Sequence, residues 1–407
     1  MAKVIKISAL EALIKHRLRS HLRNLGFRKT RDGLLLLPGD SKESLRLLHR
    51  AQRLERLNKE QAFINSEWPK LRGYFADGSE VRPSSINPRL EQIQADTWQS
   101  KLFRLASLTW SVPVSQGYGR RLRFLVWDDD NNKLIGLIAL TDPVFNLKVR
   151  DELIGWNAEE RRQNLVNVLD AYVLGALPPY NILLGGKLIA CLVKTKEVRD
   201  TFYEKYNESR GVISQRKKHP FLVLVMTSSA LGRSSVYNRL VLDGQRFFEP
   251  LGYTSGWGHF HIPQSLFNLM REYLTTKKHE YAKNNRFGDG PNWRLRAVRH
   301  SLTLLGLNPD LLRHGVVRQV FACKLAKNAL KVLSSKDRKP NYNGLLSVAE
   351  VSGLAKSRWL EPRSVRRPEY RLWNRDQIFD LLFPLRSLTK PYLGELGVSK
   401  EATYVSR

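Results

Sequence analysis

Apolar and polar positions are patterned most legibly between residues 122 and 263. Two apolar runs, 122–127 and 134–140, flank a turn of aspartates and asparagines, which predicts a β-hairpin. A short apolar strand is expected over 170–177. The link LeuProProTyrAsn follows, and a helix opens at Gly185 and Gly186 with Leu188, Ile189, Leu192 and Val193 at helical spacing. A second unit repeats the order, with a buried-type strand over 221–226, the turn SerSerAlaLeuGlyArgSerSer, and a helix carrying Val236, Leu240 and Val241. The stretch RFFEPLGYTSGWGHFHIP then reads as a helix end, a glycine and a last alternating strand.

Outside this region the pattern is helical. Ser8 and Glu11 have capping-box spacing ahead of Leu10, Leu13, Ile14, Leu18 and Leu22, while Lys15, Arg19 and Arg23 fall on the other face. A second basic amphipathic stretch covers 44–61, with Arg46, Arg50, Arg53 and Arg56. Residues 83–88 read as a linker. Three parts follow: a basic helical segment over 1–85, an α/β core over 86–262, and a basic, mostly helical region over 263–407.

Charge sharpens this division. The chain has 68 Lys and Arg against 38 Asp and Glu, a net charge of +30. The excess is +9 over 1–85, +6 over 86–262 and +15 over 263–407. Such a balance opposes compaction unless a polyanion offsets it, so nucleic acid, DNA foremost, is the expected partner. The densest constellation is KKHEYAKNNRFGDGPNWRLRAVRH. There Lys277, Lys278, Lys283, Arg286, Arg294, Arg296 and Arg299 interleave with Tyr281, Phe287 and Trp293. Cations fix phosphates and aromatic rings stack on unpaired bases, so this is the expected nucleic-acid-binding set. The competing reading is a helix junction with Trp293 packed inward.

Catalytic signals are sparser. Tyr281 beside His279 and Glu280 is a candidate nucleophile. The run Asp128, Asp129 and Asp130 with His259 and His261 is a candidate metal set, the histidines sharing one face of the last strand. Against these stand a polar hairpin turn and packed histidines, and no HExxH or Walker pattern occurs, so no metal is assigned. Cys191 and Cys323 are the two cysteines, too few for a disulfide framework or a zinc finger. No long apolar run or signal-peptide core appears, so a cytoplasmic protein without a membrane partner is expected.

The element order resembles the GCN5-related N-acetyltransferase family, with FFEPLGY at 247–253 similar to the phrase FYEKLGF. The resemblance implies a mixed α/β core and an acyl-CoA pyrophosphate cradle at Gly185, Gly186 and Lys187, where helix amides suit an anion. The loop lacks the leading Gln or Arg and the family's glycine spacing. Phe248 stands where a thiolate-protonating Tyr is common, and a phenyl ring donates no proton.

The blocks LGALPPYNILLGGKLIACL, SSALGRSSVYNRL, LGYTSGWGHFHIP and NRFGDGPNWRLR resemble, in the same order, the first component of the Druantia anti-phage systems. That resemblance implies an antiviral or mobile-element context and encoded partners, a large helicase among them. The expected protein is therefore a nucleic-acid-binding defence component with an acetyltransferase-like core. Two alternatives stay open: a DNA strand-processing enzyme of nuclease, transposase or recombinase type, and an acyl-CoA-dependent N-acyltransferase. Neither a cofactor nor an enzymatic role is assigned.

Overall fold

The computed structural model describes residues 8–31, 35–37, 39, 41–208, 219–283 and 291–383, so Arg286 and Phe287 lie outside the described residues. Helix α1 (Ala9–Asn24) begins where the Ser8 hydroxyl accepts the Glu11 amide at 3.2 Å, satisfying an otherwise orphaned donor. Glu11 turns away from the cap. Its carboxylate accepts from the Tyr273 hydroxyl at 2.9 Å and pairs with Lys277 at 3.4 Å. Helix α2 (Lys42–Leu71) is longer than the pattern predicted and serves two cores. Leu45 and Leu48 pack with α1, whereas Leu57, Ile64, Trp68 and Leu71 pack on the sheet.

Downstream come β1 (Pro88–Gln92), α3 (Trp98–Ser107), β2 (Arg121–Asp128), β3 (Lys133–Thr141), β4 (Val168–Ala176), α4 (Gly185–Leu192) and α5 (Lys196–Tyr206). Then follow β5 (Leu224–Ser228), β6 (Glu249–Tyr253), α6 (Gln264–Thr276), α7 (Pro291–Leu304), β7 (Gln319–Lys324) and α8 (Val348–Ala355). The strands form one seven-stranded mixed sheet in the order β6-β7-β5-β4-β3-β2-β1. Only the β4–β5 pair in this sheet is parallel, with Val168 to Ala171 beside Leu224 to Thr227. Past Ala171, strand β4 continues along β3, where a register shift leaves Tyr172 unpaired.

Alternation along β2 explains the layers. Leu122, Phe124 and Val126 face a core shared with α4, α5 and α8, while Leu125 and Trp127 face the core under α2 and α3. Burial on both faces is what makes the central strands read as continuous apolar runs. Cys191 and Cys323 are both free and buried. No helix among the described residues is long and apolar enough to cross a membrane.

Three expectations are corrected. Residues 236–241 form no α-helix: the Ser234 hydroxyl accepts the amides of Val236 and Tyr237, and one 3-10 turn, Tyr237–Arg239, follows. A small hairpin follows, Val241–Leu242 against Gln245–Arg246, closed by Asp243 and Gly244 at positive φ. The strand expected to carry His259 and His261 ends at Tyr253, and both histidines lie in the following loop. Finally, β7 comes from beyond residue 262, yet sits between β5 and β6. The flanks are also joined, because α1, α6 and α7 bury Ile14, Leu18, Leu266, Met270, Val298 and Leu302 in one core.

Candidate functional site

The basic and aromatic constellation splits when folded. Lys277, Lys278 and Lys283 are exposed around the end of α6, and Arg296 and Arg299 are exposed on α7. Lys277 is held by Glu11, whereas Lys278, Lys283, Arg296 and Arg299 make no ion pair among the described residues.

Trp293 is no stacking platform, because it is 4% exposed and belongs to the helical core. Phe267 meets its ring edge-on at 5.6 Å, and the Arg271 guanidinium lies over it at 5.3 Å, covering the surface a base would need. Arg294 points the other way, donating to the Ile262 carbonyl at 2.8 Å and to Gln264 Oε1 at 2.5 Å.

Tyr281 is half-buried and packs against His279 at 5.4 Å and His300 at 5.0 Å, whose rings themselves lie 4.9 Å apart. His279 Nδ1 accepts from the Tyr281 amide at 3.2 Å, so this imidazole nitrogen is engaged with backbone rather than the phenol, and Glu280 is exposed. The candidate metal set is dispersed. Asp128 accepts from the Tyr180 hydroxyl at 2.9 Å, Asp129 holds Arg89, and Asp130 holds Arg82. No group of three His, Cys, Asp or Glu able to hold a metal occurs among the described residues.

At the glycine loop, the Gly185 amide donates to the Tyr180 carbonyl at 2.8 Å and the Lys187 amide to the Leu184 carbonyl at 2.8 Å. Two of the three amides are therefore already satisfied. Gly185 is required for packing, since a Cβ there would lie 2.6 Å from the Tyr180 oxygen. Lys187 lies over the Trp359 ring at 4.9 Å, and burial together with Arg239 and Arg358 lowers its pKa. Phe248 is fully buried in the core.

The loop over 254–263 builds a second site. Gly256 and Gly315, both at positive φ, let this loop approach the 313–318 segment, with the Gly315 amide donating to the Gly256 carbonyl at 3.2 Å. Phe260 stacks on His49 at 4.4 Å and meets His314 edge-on at 4.6 Å. His261 Nε2 bonds the Leu311 carbonyl at 2.8 Å, and His21 Nε2 bonds the His261 carbonyl at 3.0 Å. Desolvation holds His49, His259 and His261 down to about 4 and His314 to about 3, so all four are neutral at pH 7.

Beside this cluster opens a cleft of about 570 Å³, walled by α2 between Gln52 and Glu60, the 113–116 loop, the 257–264 loop, Arg294 and Arg318. Most of its charges are matched. Lys59 pairs with Glu55 at 2.9 Å, Glu60 with Arg104 at 2.5 Å, and Arg56 donates to the Val114 carbonyl. The Arg318 guanidinium makes no hydrogen bond or ion pair among the described residues, and its Nε is buried without a partner. Sequence reasoning missed Arg318 because nothing local distinguishes it from the other basic residues of the C-terminal region.

Comparison with known proteins places these features in a family. The profile described as "Druantia protein DruA" matches residues 39–335. A protein of that name from Escherichia coli strain UMEA 4076-1 is 52% identical over 379 residues, covering 93% of this chain and 94% of its own length. No solved structure matches the chain.

Proposed function

The chain belongs to the Druantia protein DruA family, and from that premise we propose that it is the nucleic-acid-binding component of a Druantia anti-phage defence system, with DNA as the first candidate ligand. The observation that carries this reading is a set of exposed cations on one helical unit that have no acidic partners among the described residues. Arg17, Arg19 and Arg23 on α1 join Lys278, Lys283, Arg296 and Arg299 around α6 and α7. Unmatched surface cations on a chain of +30 suit a phosphate backbone, where binding releases condensed counterions. The other proteins of the system, a helicase among them by the family resemblance, are the proposed partners.

The acetyltransferase-like reading of the core draws support from the β2–β3 hairpin, from β4 leading into a helix opened by glycines, and from FFEPLGY entering β6. It concerns architecture alone. With Gly185 and Lys187 amides satisfied and Phe248 buried, acyl transfer is not part of the proposal.

The test is affinity for duplex and single-stranded DNA and for RNA across a salt series. A fall of about tenfold or more between roughly 50 and 200 mM salt supports the reading. Binding that is absent at low salt, or indifferent to salt, overturns it.

A further inference from the structure

Arg318 is half-buried in the cleft wall, and its Nε is cut off from solvent without a partner. A guanidinium does not relieve burial by losing its proton, as lysine or histidine does, so its charge persists in the cleft. Desolvating a charge without a partner is strongly unfavourable, and such a group is retained where something else supplies the opposite charge. The neighbouring acids do not supply it, since Glu55 and Glu60 are matched with Lys59 and Arg104. The aromatic and imidazole neighbours are uncharged: Phe260 lies 6.0 Å from the guanidinium carbon, and the nearby His314 and His49 are neutral.

The rest of the cleft limits what the missing anion is. Its volume of about 570 Å³ exceeds the need of a bare phosphate and leaves room for a group attached to it. The His259 imidazole lines the cleft and makes no hydrogen bond among the described residues. At the rim Trp257 is 37% exposed, with the Arg313 guanidinium 5.1 Å over its ring. A guanidinium fork matches phosphate oxygens, and the part of the indole that Arg313 leaves exposed suits contact with a flat ring.

We propose that this cleft binds a nucleotide phosphate, with Arg318 pairing to the phosphoryl group, His259 adding a hydrogen bond, and Trp257 contacting the attached base. The phosphate belongs either to a free nucleotide or to the end of a nucleic acid. None of the exposed cations named on α1, α6 and α7 lines this cleft, so either proposal can fall without the other.

The experiment uses the full chain and two variants, Arg318→Gln and His259→Gln. Calorimetric titration with a nucleoside 5′-monophosphate, and binding of one oligonucleotide with and without a 5′-phosphate, are measured for each. Melting temperature is followed with and without inorganic phosphate. The expected result is monophosphate binding weakened at least tenfold by Arg318→Gln and less by His259→Gln. Phosphate should raise the melting temperature of the unaltered protein but not of Arg318→Gln, which in phosphate-free buffer should melt above it because an unpaired, half-buried charge is gone.

Equal binding of the monophosphate and the phosphorylated oligonucleotide identifies a free nucleotide as ligand. A gain of tenfold or more from 5′-phosphorylation, lost in Arg318→Gln, identifies a nucleic-acid end. Absent monophosphate and phosphorylation effects in the unaltered protein overturn the proposal, as does an effect that Arg318→Gln leaves intact. Should Arg318→Gln fail to fold, undiminished binding in His259→Gln overturns the proposed cleft contacts. Salt-sensitive binding of unphosphorylated DNA, persisting through such a failure, leaves the surface reading standing.

Discussion

The indole Nε1 of Trp293 donates to the carbonyl oxygen of Lys283 at 3.0 Å, tying the start of α7 to the turn that follows α6. A residue that sequence alone placed on a base-stacking surface thus braces the backbone beneath the exposed lysines. Trp293→Ala should cost about 3–5 kcal/mol of folding stability, the range for truncating a buried large aromatic. Chemical denaturation measures it. A loss of nucleic-acid affinity at unchanged stability would reinstate the stacking role.

Charge reversal on α7 should behave in the opposite way. Arg296 and Arg299 are exposed and make no ion pair among the described residues, so Arg296→Glu with Arg299→Glu should leave the melting temperature nearly unchanged. The double variant should weaken DNA binding and flatten its salt dependence, since fewer phosphates are neutralised. Unaltered affinity would move the binding surface elsewhere.

The desolvated imidazoles predict acid sensitivity. His49, His259, His261 and His314 are held to about 4, 4, 4 and 3, below the ordinary histidine value of about 6.5. In that window the unfolded chain binds more protons than the folded one. Stability is therefore fully present above about pH 6.5 and falls as pH drops toward 4. Asp170, raised to about 6 by burial, works in the opposite direction as a single group. Melting temperature followed from pH 7 to 4 should fall, and His314→Asn should shallow the slope.

Two adjacent glycines should respond differently to alanine. A Cβ on Gly185 would lie 2.6 Å from the Tyr180 carbonyl oxygen, and the backbone there would have to shift. A Cβ on Gly186 meets nothing within 4 Å. Gly185→Ala should destabilise the protein, whereas Gly186→Ala should stabilise it by roughly 0.5–1 kcal/mol, the helix preference of alanine over glycine. Equal effects would contradict this geometry.

Local signals made part of the fold legible. The hairpin was readable because residues 128–132 combine a polar turn with apolar runs on both sides, and α4 because Leu188, Ile189 and Leu192 repeat at helical spacing. The helix expected over 236–241 is one 3-10 turn; the expectation weighed apolar spacing above the Asp243-Gly244 pair, which is itself a hairpin signal. The place of β7 was not readable, since its short apolar run Val320 to Cys323 does not reveal which strands it separates. The cleft was hidden for a related reason: Arg56, His259 and Arg318 meet only after α2, the 257–264 loop and the entry to β7 come together.

The position of β7 bears on how the chain is made. Among the described residues strand β6 has no partner in the sheet except β7, and β5 has only β4 until β7 enters. A ribosome that has released residue 253 but not residue 324 therefore holds a sheet with β5 as an open edge and β6 waiting. Throughout that interval α6 and α7 emerge, and α1 is already free to receive them. The helical unit can close before the sheet does, leaving β5 as an unpaired, aggregation-prone edge during synthesis.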